Sequence, residues 1–185
     1  MDGSDLRPTE VVPFLSATDE RLRAAANWVL SHHPDWGGEL AGWFRQRLTA
    51  SDLADAERTA LDHQLHILTR AEVSQQLLAD AITQPGFRTD TRVAALSAIA
   101  SAGLKQSPAS WKAAVLSVLE AKNAGILPAA VRAARTLNGD AKIVVALLAL
   151  GRDASQPATL RLDALAALPA GAPLDGVEFD FLRTN

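Results

Sequence analysis

One arrangement of residues recurs along this 185-residue chain and limits what it can fold into. An arginine is followed by a small or apolar residue three positions on and an aliphatic residue seven positions on. The copies are Arg23/Ala26/Leu30, Arg58/Leu61/Leu65, Arg92/Ala95/Ile99 and Arg161/Ala164/Leu168. A further copy, Ala130/Ala133/Leu137, has alanine in place of the arginine. Successive copies lie 35, 34, 38 and 31 residues apart. A helix turns about 100° per residue, so positions +3, +4 and +7 share a face with the first. Each copy therefore reads as one buried stripe of a helix. A period of this size belongs to stacked supersecondary units, none of which can bury its apolar side alone.

Composition supports helices and narrows the function classes. Hydrophobic residues make up 48% of the chain but aromatics only 5%, so the core is aliphatic. Alanine and leucine favour helix. Alternating β-branched runs between hairpin turns, the signature of strands, are almost missing. The longest apolar run, Ile143 to Leu150, is far too short to cross a bilayer, so no membrane insertion is expected. The net charge of −3, with acids and bases mixed, argues against a general nucleic-acid binder, which needs a basic stripe. Zero cysteines exclude disulfides, thiolate metal sites and a cysteine nucleophile. Met1-Asp2-Gly3-Ser4-Asp5 carries no targeting signal, and the compartment is not indicated.

Punctuation along the chain divides it into helical hairpins at residues 8–33, 35–69, 71–103, 107–138 and 141–168. Residues 174–185, with Leu174, Val177, Phe179, Phe181 and Leu182, read as the first half of a sixth. Pro13 should bend the first helix, Thr18 or Asp19 should cap the second, and Pro34 should stop it. Gly37-Gly38 weakens the first turn of a helix expected from Asp35 to Leu48. Ser51-Asp52 offers N-caps, Pro85-Gly86 a turn and Gly103 a C-terminal cap. Ser107 should cap a helix with Pro108 at its first position. Gly151 should end a helix beginning at Ala141, apolar nearly all round as if covered on several sides. The whole is expected to be one repeat domain, cut from a longer array or a multidomain parent.

These units resemble HEAT repeats. The resemblance is carried by Val12-Pro13 in a first helix, the acidic turn Asp19-Glu20, and the runs Arg23-Ala24-Ala25-Ala26, Thr91-Arg92-Val93-Ala94-Ala95 and Leu160-Arg161-Leu162-Asp163-Ala164. Leu61 where alanine is usual, Ala130 for arginine, and no acid before Arg161 depart from the pattern. The resemblance implies an all-α fold, a right-handed alpha-alpha superhelix of about five helix pairs plus a partial sixth, with second helices lining the concave side. It also implies a protein-binding scaffold. The stretch from Trp28 to Trp36 is similar, more faintly, to helical-repeat segments of large exported bacterial heme-binding proteins. That likeness implies an exported parent and a cofactor- or metal-associated accessory domain. No Cys-x-x-Cys-His is present, so no heme attachment is carried over. A HEAT-like DNA glycosylase would want a basic concave face, which this charge balance does not provide.

Arg23, Arg58, Arg92 and Arg161 read as a structural ladder, each crossing to the next unit to bond an acid or helix carbonyls there. An arginine ladder for an anionic partner is the functional alternative. The opposite face of the second helices places Trp28, His63, Ser97, Arg135 and Ala166 in one column, with His32, Ile67 and Ser101 one turn on. Trp28, His32, His63, Ile67 and Arg135 are the candidate binding residues, with Trp28 as anchor. The plainer reading is that Trp28 covers an end of the stack. His63 and His66 have a workable metal-ligand spacing, but His33 and His66 point to different flanks from His32 and His63. Asp62-His63 with Ser51 makes no triad, and Gly37-Gly38 is not a phosphate loop. The expectation is a non-catalytic interaction or scaffold module, without cofactor or metal, whose partner is another protein or neighbouring domains of its own chain.

Overall fold

A computed structural model of the chain describes residues 6–50, 54–69, 71–137, 139–172 and 174–184. The expected caps Ser51 and Asp52, the opening Met1 to Asp5 and the boundary residue Asn138 lie outside them. The fold is all-α, and among the described residues there is no strand. The helices are α1 (Pro8–Leu15), α2 (Glu20–His32), α3 (Gly37–Thr49), α4 (Asp55–Leu68), α5 (Glu72–Thr83), α6 (Thr89–Ser101), α7 (Ala109–Ala121), α8 (Leu127–Ala134), α9 (Ala141–Arg152), α10 (Ala158–Ala166) and α11 (Gly176–Thr184). The chain divides into two compact units, residues 1–77 and 78–185, the division falling inside α5.

In the first unit α1 packs on α2 and on α3, and α2 packs on α4. Pro8 opens α1, where a missing N–H costs nothing, and Pro13 lies within the helix. Asp19 caps α2, its carboxylate accepting from the Arg21 N–H at 2.8 Å. A short 3-10 turn, Pro34–Trp36, delays α3 to Gly37, two residues later than expected. The reason is packing. Trp36 and Gly37 are both buried, and a Cβ on Gly37 would sit 2.8 Å from the Cβ of Ala71. The glycine there admits a neighbouring backbone rather than merely weakening a turn. Leu15, Leu30, Leu40, Phe44, Leu48, Leu61 and Leu65 form the interior.

In the second unit α7 pairs with α8 and α9 with α10. Helices two apart also pack: α6 on α8, α8 on α10, and α7 on α9. Ala129, Ala130, Ala133 and Ala134 of α8 are all buried beside Leu127 and Val131, so this helix meets its neighbours largely through small side chains. Three boundaries differ from expectation. Ser107 does not cap α7. Its hydroxyl donates to the Thr136 carbonyl at 3.4 Å, and Pro108 holds the cap position. α8 stops at Ala134, short of the expected end of its hairpin. α9 continues through Gly151 to Arg152, and the glycine serves packing instead, since a Cβ there would meet Leu165 Cδ2 at 2.5 Å.

Two faces also differ. α9 is not covered all round, since Val145 is 66% exposed while Ile143, Leu147 and Leu150 are buried. α11 turns its apolar residues outward: Val177 and Phe179 are exposed, and Glu178 is the buried side chain. The acid wins that place because Arg152 meets it there, together with the backbone N–H of Asp175 at 2.8 Å.

Candidate functional site

Three of the four repeated arginines bond carbonyls of their own hairpins, and Arg161 also reaches Phe181 of the next helix, α11. Arg23 Nη1 donates to the Ala17 carbonyl at 2.8 Å. Arg92 donates to the carbonyls of Gln84 and Phe87 at 2.7 and 3.2 Å. Arg161 Nε donates to the Gly151 carbonyl at 2.8 Å, and its guanidinium lies 3.8 Å from the centroid of the Phe181 ring. Arg58 is half-buried on α4. An arginine in the first turns of a second helix stands beside the end of the first helix. The last carbonyls there lack helical partners and carry partial negative charge, so a short reach satisfies both.

Charge pairs that cross between hairpins lie instead on first helices of the second unit. Lys112 of α7 reaches Asp140 before α9 at 3.9 Å, and Lys122 after α7 reaches Asp153 after α9 at 2.5 Å. Arg152 of α9 pairs with Asp175 at 3.1 Å and with Glu178. Lys122, followed by the hydrogen bonds of Ser155, holds the Asp153 carboxyl well below its usual range. Arg152, then hydrogen bonding to Asp175, does the same for Glu178. In the first unit Arg47 meets Glu57 at 2.7 Å. That bond, and then the Ala54 N–H, lowers the Glu57 carboxyl. Glu57 and Glu178 thus share one device: each reaches back to the N–H three residues before it at its helix start, and each is gripped by an arginine from a preceding helix.

The candidate binding residues fall in different places. Trp28 is 65% exposed, and the His32 ring lies 4.3 Å from its own, tilted by 38°. His32 Nδ1 is 2.8 Å from the Trp28 carbonyl, and Ser31 donates to the same oxygen at 2.7 Å. The His32 ring is thus placed beside the exposed indole of Trp28. His63 is exposed and Ile67 half-buried on α4. α4 adjoins α2 through Gln64, whose Nε2 donates to Asn27 Oδ1 at 3.0 Å. Among the described residues no ring contact joins Trp28 or His32 to His63. His33 stacks on Trp36 at 4.1 Å, so the neighbouring histidines 32 and 33 engage different tryptophans. Among the described residues no three His, Cys, Asp or Glu side chains come together as a metal would require. Arg135 belongs to the second unit, exposed at the end of α8.

No protein-family model, curated protein or solved structure matches this chain. No described helix is long and apolar enough to cross a membrane.

Sequence reasoning missed Gln64. Its side chain is buried at 1% exposure and donates to the Leu15 carbonyl at 2.9 Å as well as to Asn27. It thus binds the end of α1 and the middle of α2 to α4. The available signal was an amide set between Leu61 and Leu65, on a face that should otherwise be apolar.

Proposed function

We propose that this chain is a non-catalytic interaction or scaffold module, built as a right-handed solenoid of HEAT type. One recurrence carries the reading: in three hairpins a second-helix arginine holds carbonyls at or just beyond the end of its first helix. Packing between helices two apart in each unit supports it, because stacked hairpins produce that order. The partner is a protein or a neighbouring domain of the same chain. Trp28, beside His32, is the first contact to test, since a large exposed tryptophan brings much contact area with few rotatable bonds.

Trp28→Ala should weaken capture of the partner about tenfold or more while the circular dichroism stays helical. Equal capture by the variant would remove this patch from consideration. Solution scattering tests the shape. A compact domain of 185 residues has a radius of gyration of about 16 Å, and the solenoid requires a clearly larger value.

A further inference from the structure

Of the nine residues of α11 only Glu178 is buried. Each of the ten helices before it buries at least one leucine, isoleucine or valine. Val177 and Phe179 of α11 are both exposed and stand about 200° apart around the helix, so both of its flanks are uncovered. α11 is held instead by charge. Arg152, at the end of α9, meets Glu178 and donates from Nη2 to Asp175 at 3.1 Å. Arg161 of α10 lies 3.8 Å from the centroid of the Phe181 ring. The chain leading into α11 passes Gly171, left-handed at φ 82°, where a Cβ would meet nothing within 4 Å. A glycine with open space around it leaves that position free to turn.

The two kinds of attachment respond differently to opening. A helix that leaves an apolar seat loses its burial, and water returns nothing for it. A charge pair that parts regains hydration on both sides, which offsets much of the lost attraction. Arg152 needs little of that hydration back, since its side chain is already 50% exposed. Opening α11 is therefore cheap beside opening any helix of the hairpins, and elements of low local stability are the ones that move. We propose that α11 is a strap, hinged near Gly171, that opens as a unit while α7 to α10 stay folded, with Arg152 and Glu178 as its clasp. Opening releases the guanidinium of Arg152 from both carboxylates and uncovers that of Arg161 on its Phe181 side. The open form thus presents two cations that the closed form keeps engaged.

The test is hydrogen exchange of the whole chain at neutral pH, followed segment by segment by mass spectrometry. Residues 174–184 should be protected, yet should open about 100-fold more often than α9 and α10, because opening energies within one protein run from near zero up to the global value. Glu178→Gln removes the charge and keeps the shape. It should speed exchange of 174–184 about tenfold or more, the range of a charge-assisted hydrogen bond, with α9 and α10 unchanged. Arg152→Lys, which keeps the charge without the fork, should have a smaller effect in the same segment. Exchange of 174–184 in step with α9 and α10 would overturn the proposal. So would a lack of protection there in the unaltered chain, since a segment that is never closed is no strap. Indifference to Glu178→Gln, or an equal loss of protection in all three helices, would remove the clasp.

Discussion

In the first unit a buried amide joins three helices: Gln64 donates to the end of α1 and to Asn27 of α2. In the second unit no such amide recurs on α8, where Ala129, Ala130, Ala133 and Ala134 are buried beside Leu127 and Val131, and Gly151 is pressed against Leu165. Directional bonds fix register in the first, because a slipped helix would strand a donor or an acceptor. Close contact fixes it in the second, because any added atom collides. Both units build helical hairpins, so the hairpin does not dictate its interior. The four tryptophans separate the two in experiment, since Trp28, Trp36 and Trp43 report on the first and Trp111 on the second.

Gln64→Leu should have the largest effect. It leaves the buried Leu15 carbonyl and the half-buried Asn27 amide without their donor, costing about 2–6 kcal/mol at roughly 1–3 per stranded group. Denaturation followed by fluorine resonances of labelled tryptophan should show the loss at residues 28, 36 and 43. If Gln64→Leu leaves those midpoints in place, directional bonding is not what orders the first unit.

Two glycine-to-alanine changes, one in each unit, should differ in sign. Gly151→Ala drives a methyl into Leu165 and should cost about 1–3 kcal/mol. Gly42→Ala on α3, where a Cβ would meet nothing within 4 Å, should stabilise by about 0.5–1 kcal/mol. The same sign at both positions in urea titrations would dissolve the distinction.

The smallest effect concerns acid. The carboxyls of Glu57, Asp153 and Glu178 all titrate below their unfolded values. Their contribution is therefore complete above the unfolded pKa and is lost as pH falls through the folded one. For Glu178 the window runs from 4.5 down to about 2. Two of these groups lie in the second unit, so its melting temperature should fall further across that window than the first unit's. Glu178→Gln should flatten the fall by a few degrees, and an unchanged acid limb in the variant would assign the loss elsewhere.

The helices were legible because their stripes and punctuation are local. Pro34, Asp19 and Gly103 act on residues beside them, and Gly103 does take a left-handed conformation at φ 60° after α6. What escaped depends on distant partners. Gly151 carries an ordinary stop signal, and only Leu165, fourteen residues on, turns it into a point of contact. The outward turn of Val177 and Phe179 on α11 escaped for the same reason: Glu178 is buried where Arg152 meets it. Among the candidate site residues, sequence paired Trp28 with His32, one turn apart. It could not foresee that Arg135 and Ala166 would border one groove between α8, α9 and α10, since the spacing of successive hairpins is set by their packing.

Lys112, Lys122 and Arg152 tie first helices to first helices, leaving the outward column of second helices in that unit without electrostatic duty. Positions such as Arg135 and Ala166 can therefore be exchanged without loosening the joints. A surface relieved of holding its own scaffold together has latitude to change what it recognises while the frame behind it stays the same.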